Sequence, residues 1–183
     1  NGAHRIAVEW MEGEEVKEGV FIPRRDTSSL INTIAGGRVF PGRHYHAKFT
    51  VHEEDDKYRI AFKSSDGTTI SIDAERAIAL NSASIFGDIE TASSFFENWS
   101  VGSYLNGDQF DGIELRAFNW SVEPLAVKSV HSSFFEDENV FPKGSVQFDN
   151  ALLMTQINHE WHSVKDKSHC PAVGRPVKNK PSA

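Results

Sequence analysis

Thiols are almost missing from this chain of 183 residues: Cys170, near the C-terminus, is its one cysteine. No internal disulfide can form, which excludes a small cross-linked scaffold. It fits a reducing compartment, so a cytoplasmic protein is expected. Long apolar runs are missing too. None approaches the roughly 18 residues that a membrane helix needs, and no signal peptide is visible, so no membrane partner is expected. Positive charge is scarce over most of the chain. The formal net charge is −7, yet residues 163–183 hold five Lys or Arg against Asp166, a net of +4 that leaves −11 on the rest. An acidic body repels phosphate backbones, so nucleic acid is not an expected partner. There is no internal repeat, no P-loop, no Gly-x-Gly-x-x-Gly and no Gly-x-Ser-x-Gly elbow.

What is present is alternation. A hydrophobic content of 39% supports one core of ordinary size. Residues 1–162 read as one folded domain, and 163–183 as a disordered basic tail. The chain opens with Asn1 and enters a strand-like pattern almost at once, so an N-terminal part is expected to precede it. AHRIAVEW and VKEGVFI read as two strands around Glu12-Gly13-Glu14-Glu15. In HYHAKFTVH, Tyr45, Ala47, Phe49 and Val51 form one face, and His44, His46, Lys48, Thr50 and His52 the other. KYRIAFK, a turn at Ser65-Asp66-Gly67, and a strand through Ile70 and Ile72 follow. Residues 113–118, 120–131 and 145–154 read as further strands, with Asp111-Gly112 at a turn. Pro124 marks a break, bulge or edge.

Two short helices are expected among the strands. In DTSSLINTIAGG, Asp26 or Thr27 caps the first turn, and Gly36 or Gly37 ends the helix. In GDIETASSFFENW, Asp88 is the N-cap, and Ile89, Ala92, Phe96 and Trp99 form one stripe. Many antiparallel strands with few helices point to a closed barrel or a sandwich, and the barrel also removes exposed edges.

Polar chemistry gathers around GGRVFPGRHYH, residues 36–46. His44 and His46 share a strand face and could chelate one cation. A third ligand is needed, and His159, Glu160 and His162 are the compositional candidates. The spacing is similar to that of cupins, which add a glutamate a few residues on; here the next is Glu53. No metal and no cofactor is therefore assigned. Arg24 and Arg25 precede the first helix, and Arg38 follows it. Such guanidinium groups grip carboxylates bidentately. They also serve as local ion-pair partners for Asp26. Glu9 beside Trp10 and Glu160 beside Trp161 are carboxylates that apolar neighbours could perturb.

The segments AHRIAVEW, GVFIPRRDTSS, GGRVFPGRHYHAKF, SSFFEDENVFPKGSVQFDNALLM and HEWH together resemble an uncharacterised bacterial family. That family is grouped with the acetoacetate decarboxylase-like superfamily, and the resemblance covers roughly residues 3–162. It implies a mainly-β, cone-like antiparallel barrel with an internal ligand cavity. The decarboxylase forms a Schiff base with a β-keto acid through one of two adjacent lysines. The similar segment here reads Gly37-Arg38-Val39-Phe40-Pro41-Gly42-Arg43, with Gly42 and Arg43 at the lysine positions. Neither supplies a neutral amine, so that machinery is absent by this comparison. Lys48, on the face of His44 and His46, and Lys63 and Lys128 on other strands are candidates to substitute for it.

The expected function is binding of a small anionic organic molecule. Arg25, Arg38, His44, His46 and Lys48 are the candidate contacts. Alternatives are a lyase or hydrolase on a keto acid or similar ligand, using His, Glu or a metal, and a structural or partner-binding module.

Overall fold

The computed structural model describes residues 1–30, 33, 43–98, 101–106, 109–155 and 157–164. Within them lie ten strands and one helix of several turns. The N-terminal hairpin pairs β1 (Gly2–Glu12) with β2 (Glu15–Thr27). Its tight turn passes through Gly13 at φ 65°, a conformation glycine adopts without a Cβ clash. β3 (His44–Glu54), β4 (Lys57–Ser64) and β5 (Thr69–Arg76) form an antiparallel meander. The Asp-Gly turn forms where the sequence places it. Gly67 has φ 93°, and Asp66 Oδ1 accepts the Thr68 amide at 3.1 Å. Then come α1 (Ile89–Asn98), β6 (Val101–Asn106), β7 (Gln109–Ala117), β8 (Glu123–Ser132), β9 (Ala151–Leu153) and β10 (His159–Val164).

The chain is mainly β, as its alternation indicates, and its pairing is mostly antiparallel. The hydrogen-bonded order is β10-β7-β6-β2-β3-β4-β5-β8-β9, with β1 added on β2. The end strands β9 and β10 do not pair with each other, so among the described residues the sheet is open rather than closed into the expected barrel. Two pairings are parallel: β2 with β3 and β2 with β6. β1 occupies one edge of β2 along most of its length, so β6 and β3 follow one another on the other edge. The sixteen residues between Thr27 and His44 suffice for the crossover that parallel strands require. No helix among the described residues is long and apolar enough to cross a membrane.

Several local expectations shift. β2 runs through Asp26 and Thr27, so Asp26 caps no helix. Thr27 Oγ1 instead accepts the Ser29 amide at 3.1 Å, and the Thr33 amide bonds the Ser29 carbonyl. Leu30 and Thr33 are helical, while the rest of that expected helix, with Gly36 and Gly37, lies outside the described residues. Asp111-Gly112 is no turn: both residues pair within β7, opposite Tyr104 and Ser103 of β6. Cross-strand pairing there overrides two residues that are poor strand formers. Only Ala151–Leu153 of the expected strand 145–154 joins a ladder. Upstream, Asp149 turns its carboxylate to Ser84 Oγ (2.7 Å) and the Ile85 amide (2.9 Å). The irregularity of β8 falls at Lys128, opposite the step from Asp73 to Ala74, and Pro124 is accommodated as the strand's second residue. β10 extends to Val164, two residues past the expected domain end, and 165–183 lies outside the described residues.

α1 forms as its sequence indicates. Asp88 Oδ1 accepts the Thr91 amide at 2.7 Å, an N-cap bond, and Ala92 is fully buried. Trp99 lies outside the described residues. The central core is built from Val20, Ile22, Ala47, Tyr58, Phe62 and Ala74.

Candidate functional site

The β2–β3 pairing brings together three residues singled out in the sequence. Arg25 stands opposite His44, and Thr27 opposite His46. By alternation, Arg25, His44 and His46 share one face of this strand pair. All three are half-buried, and His46 Nδ1 is buried without a hydrogen-bond partner among the described residues. Lys48 is exposed, and it faces the equally exposed Lys63 across β3–β4. Lys128 is paired with Glu75 at 2.6 Å. Arg38 lies outside the described residues, and Arg43 is exposed. No group of three or more His, Cys, Asp or Glu among the described residues could hold a metal ion. The suggested third ligands stand on β10, which β7, β6 and β2 separate from β3. Glu9 and Glu160 are both exposed.

The other face of the same strands holds a buried charge cluster centred on Arg24 and Asp26. Arg24 is 6% exposed and Asp26 0%. The guanidinium donates to both Asp26 oxygens, at 2.6 and 3.1 Å, and to Asp66 at 2.9 Å and Thr68 at 2.6 Å. It also lies 4.2 Å from the centre of the Tyr45 ring. Ser64 Oγ donates to Asp26 at 2.5 Å, and His4 Nδ1 is 3.5 Å from its other oxygen. Burial pushes the Asp26 carboxyl up, but the nearby His4 ring nitrogen, hydrogen bonds from Arg24 and Ser64, and the Arg24 charge outweigh it. They hold it well below the usual carboxylate range. His4 itself is packed among Phe62, Phe134 and Phe135. This cluster ties β1, β2, β4 and the Asp66 turn together and leaves no acceptor for a ligand cation to replace cheaply.

A β-bulge separates this cluster from a cavity. The register steps from His4–Arg24 to Ile6–Phe21, so Ile22 and Pro23 both face Arg5. Pro23 has no N–H to lose at such a place. On one side of the bulge Val20 stands opposite Ala7; on the other Arg24 stands opposite His4. Ala7 and His4 point to opposite faces of β1, so the bulge switches the even residues of β2 from one face to the other. Val20, Ala7 and Arg5 consequently face α1.

There they line a cavity of about 430 Å³, within the range of small-molecule sites. Phe95 and Phe96 of α1, with Trp120 and Leu152, supply the rest of an apolar wall. Trp120 Nε1 donates to Ser93 Oγ at 2.9 Å, which fixes the helix against the segment leading into β8. Arg5 and Asn150 are the strongly polar side chains of the wall. Asn150 Nδ2 is spent on Asp149. Arg5 makes no hydrogen bond and no ion pair among the described residues, although it is accessible from the cavity. Burial by its apolar surroundings pushes its guanidinium below the ordinary arginine value, yet it stays charged at neutral pH.

No protein-family model, no curated protein and no solved structure matches the chain.

Arg5 is the residue that sequence reasoning passes over. In the sequence, AHRIAVEW stands out only as a strand and for Glu9 beside Trp10. Phe95 and Phe96, some ninety residues later in the chain, line one cavity with Arg5 and Ala7, although both of these stay exposed. One signal was available: a face carrying two alanines around its arginine is unusually small and apolar for an open surface.

Proposed function

We propose that the protein binds a small organic anion with an apolar body, in the cavity between the N-terminal hairpin and α1. The observation that carries this reading is the unpaired Arg5 guanidinium on an otherwise apolar wall. The guanidinium has open donors beside an apolar wall, and a carboxylate would supply acceptors for them in charge-assisted bonds. The apolar wall would take the hydrocarbon part. This agrees with the ligand class expected from the sequence but moves its main contact from the 38–48 region to Arg5. The resemblance to the acetoacetate decarboxylase-like superfamily, with its cone-like barrel around a ligand cavity, belongs to the same proposal.

The test is titration of the purified chain with hexanoate, followed by calorimetry or NMR shifts. Charge-assisted hydrogen bonding leads to an expected loss of about tenfold in affinity for hexanamide against hexanoate, and for Arg5→Met against the native protein. Ala7→Trp, which fills the cavity from its floor, should abolish binding. Equal hexanoate affinity in the native and Arg5→Met proteins, or no saturable binding at all, would overturn the reading.

A further inference from the structure

A second cavity of about 700 Å³ lies against the first and shares Phe96 and Asn150 with it. Its wall has a different character. Phe86, Phe96, Phe135, Phe141 and Phe148 line it, five of the thirteen Phe in the chain. Four of the rings meet in two pairs: Phe86 and Phe96 are 5.9 Å apart between centroids, and Phe135 and Phe141 5.6 Å. Phe96 and Phe148 remain 43% and 45% exposed, so ring surface is left open rather than packed away.

The charges are mostly negative. Glu136, Glu138 and Asp149 line the cavity against Lys143, while His131 is paired with Glu136 at 2.7 Å. Glu136 also accepts the Ser132 amide, and Asp149 holds Ser84 and Ile85, so both are committed to the fold. Glu138 is exposed and makes no hydrogen bond or ion pair among the described residues. The loop that carries these groups is locally shaped. The Val140 and Phe141 amides bond the Asp137 carbonyl, and the turn at Pro142–Ser145 closes through Gly144 at φ 78°.

We infer that this second cavity is a site for an organic ammonium group, held by phenylalanine ring faces with Glu138 as its counter-charge. Aromatic faces attract a cation through the ring quadrupole, and alkylated ammonium groups are weakly hydrated enough to leave water for them. Net negative lining disfavours an organic anion here, in contrast to the cavity of Arg5. The inference stands independently of the proposed function, since no residue of the ammonium contact is Arg5.

The experiment compares choline with its uncharged isostere 3,3-dimethylbutan-1-ol, each titrated into the full chain. Cation–π attraction leads to an expected preference of about tenfold for choline. Glu138→Gln, an exposed change that should not disturb folding, should weaken choline about threefold and leave the isostere unchanged. Phe141→Leu should weaken choline more than the isostere. Arg5→Met should leave choline binding intact even if it abolishes hexanoate binding. Equal affinities for choline and the isostere, absence of saturable choline binding, or loss of choline binding in Arg5→Met would each overturn the inference.

Discussion

Arg24 and Arg5 sit on one hairpin, a few ångströms of strand apart, and live in opposite circumstances. Arg24 is buried with two carboxylates, a threonine hydroxyl and a tyrosine ring around it. Arg5 looks into an apolar cavity with no partner among the described residues. The bulge at Ile22–Pro23 makes the difference, because it puts Arg24 on the face of His4 rather than on that of Arg5. A saturated guanidinium holds strands together. An unsaturated one is available to a ligand.

Removing the charge from each arginine tests that contrast most sharply. Arg24→Met strands Asp26 as a buried carboxylate, and a loss of about 3–5 kcal/mol in chemical denaturation is expected. A loss under 1 kcal/mol would mean that the cluster is not the tie it looks like. Acid probes the same cluster from its other partner. The Asp26 carboxyl in the folded protein lies below its unfolded value of 3.8. Its contribution to stability is therefore full above that value and is lost as pH falls below it. Thermal melts between about pH 5 and pH 3 should fall more steeply for the native protein than for Asp26→Asn. Parallel curves would contradict the coupling.

On the cavity side the expected effects are smaller. Ser93→Ala leaves the Trp120 indole N–H without its acceptor and should cost about 1 kcal/mol, while loosening the wall made by Phe95 and Phe96. Smallest of all should be the stability change of Arg5→Met, within about 0.5 kcal/mol, because no bond is broken. If that substitution destabilises as Arg24→Met does, the two arginines are alike and the ligand reading of Arg5 fails.

Much of the strand pattern was legible. HYHAKFTVH, KYRIAFK and the Asp-Gly turn form β3, β4 and the link to β5, because alternation and turn chemistry agree there. Asp88 caps α1 for the same local reason. Asp26 was legible as an arginine partner but not as a buried strand residue: the cap and the strand compete for the same carboxylate, and burial against Ser64 decides between them. β6 escaped notice because VGSYLN carries weak strand formers whose pairing comes from β2 and β7. The candidate site was only partly legible. His44 and His46 do share a face with Arg25, yet the side chain that faces the apolar cavity is Arg5.

Local spacing thus sets which residues alternate and where the chain turns, and a single cysteine rules out an internal disulfide. Those properties depend on neighbours two to four positions away, so a linear reading contains them. Which side chains line the cavity depends on α1 and on Leu152, far along the chain, and on a one-residue register step at Ile22–Pro23. Long-range burial, not local propensity, left one arginine saturated and the other open.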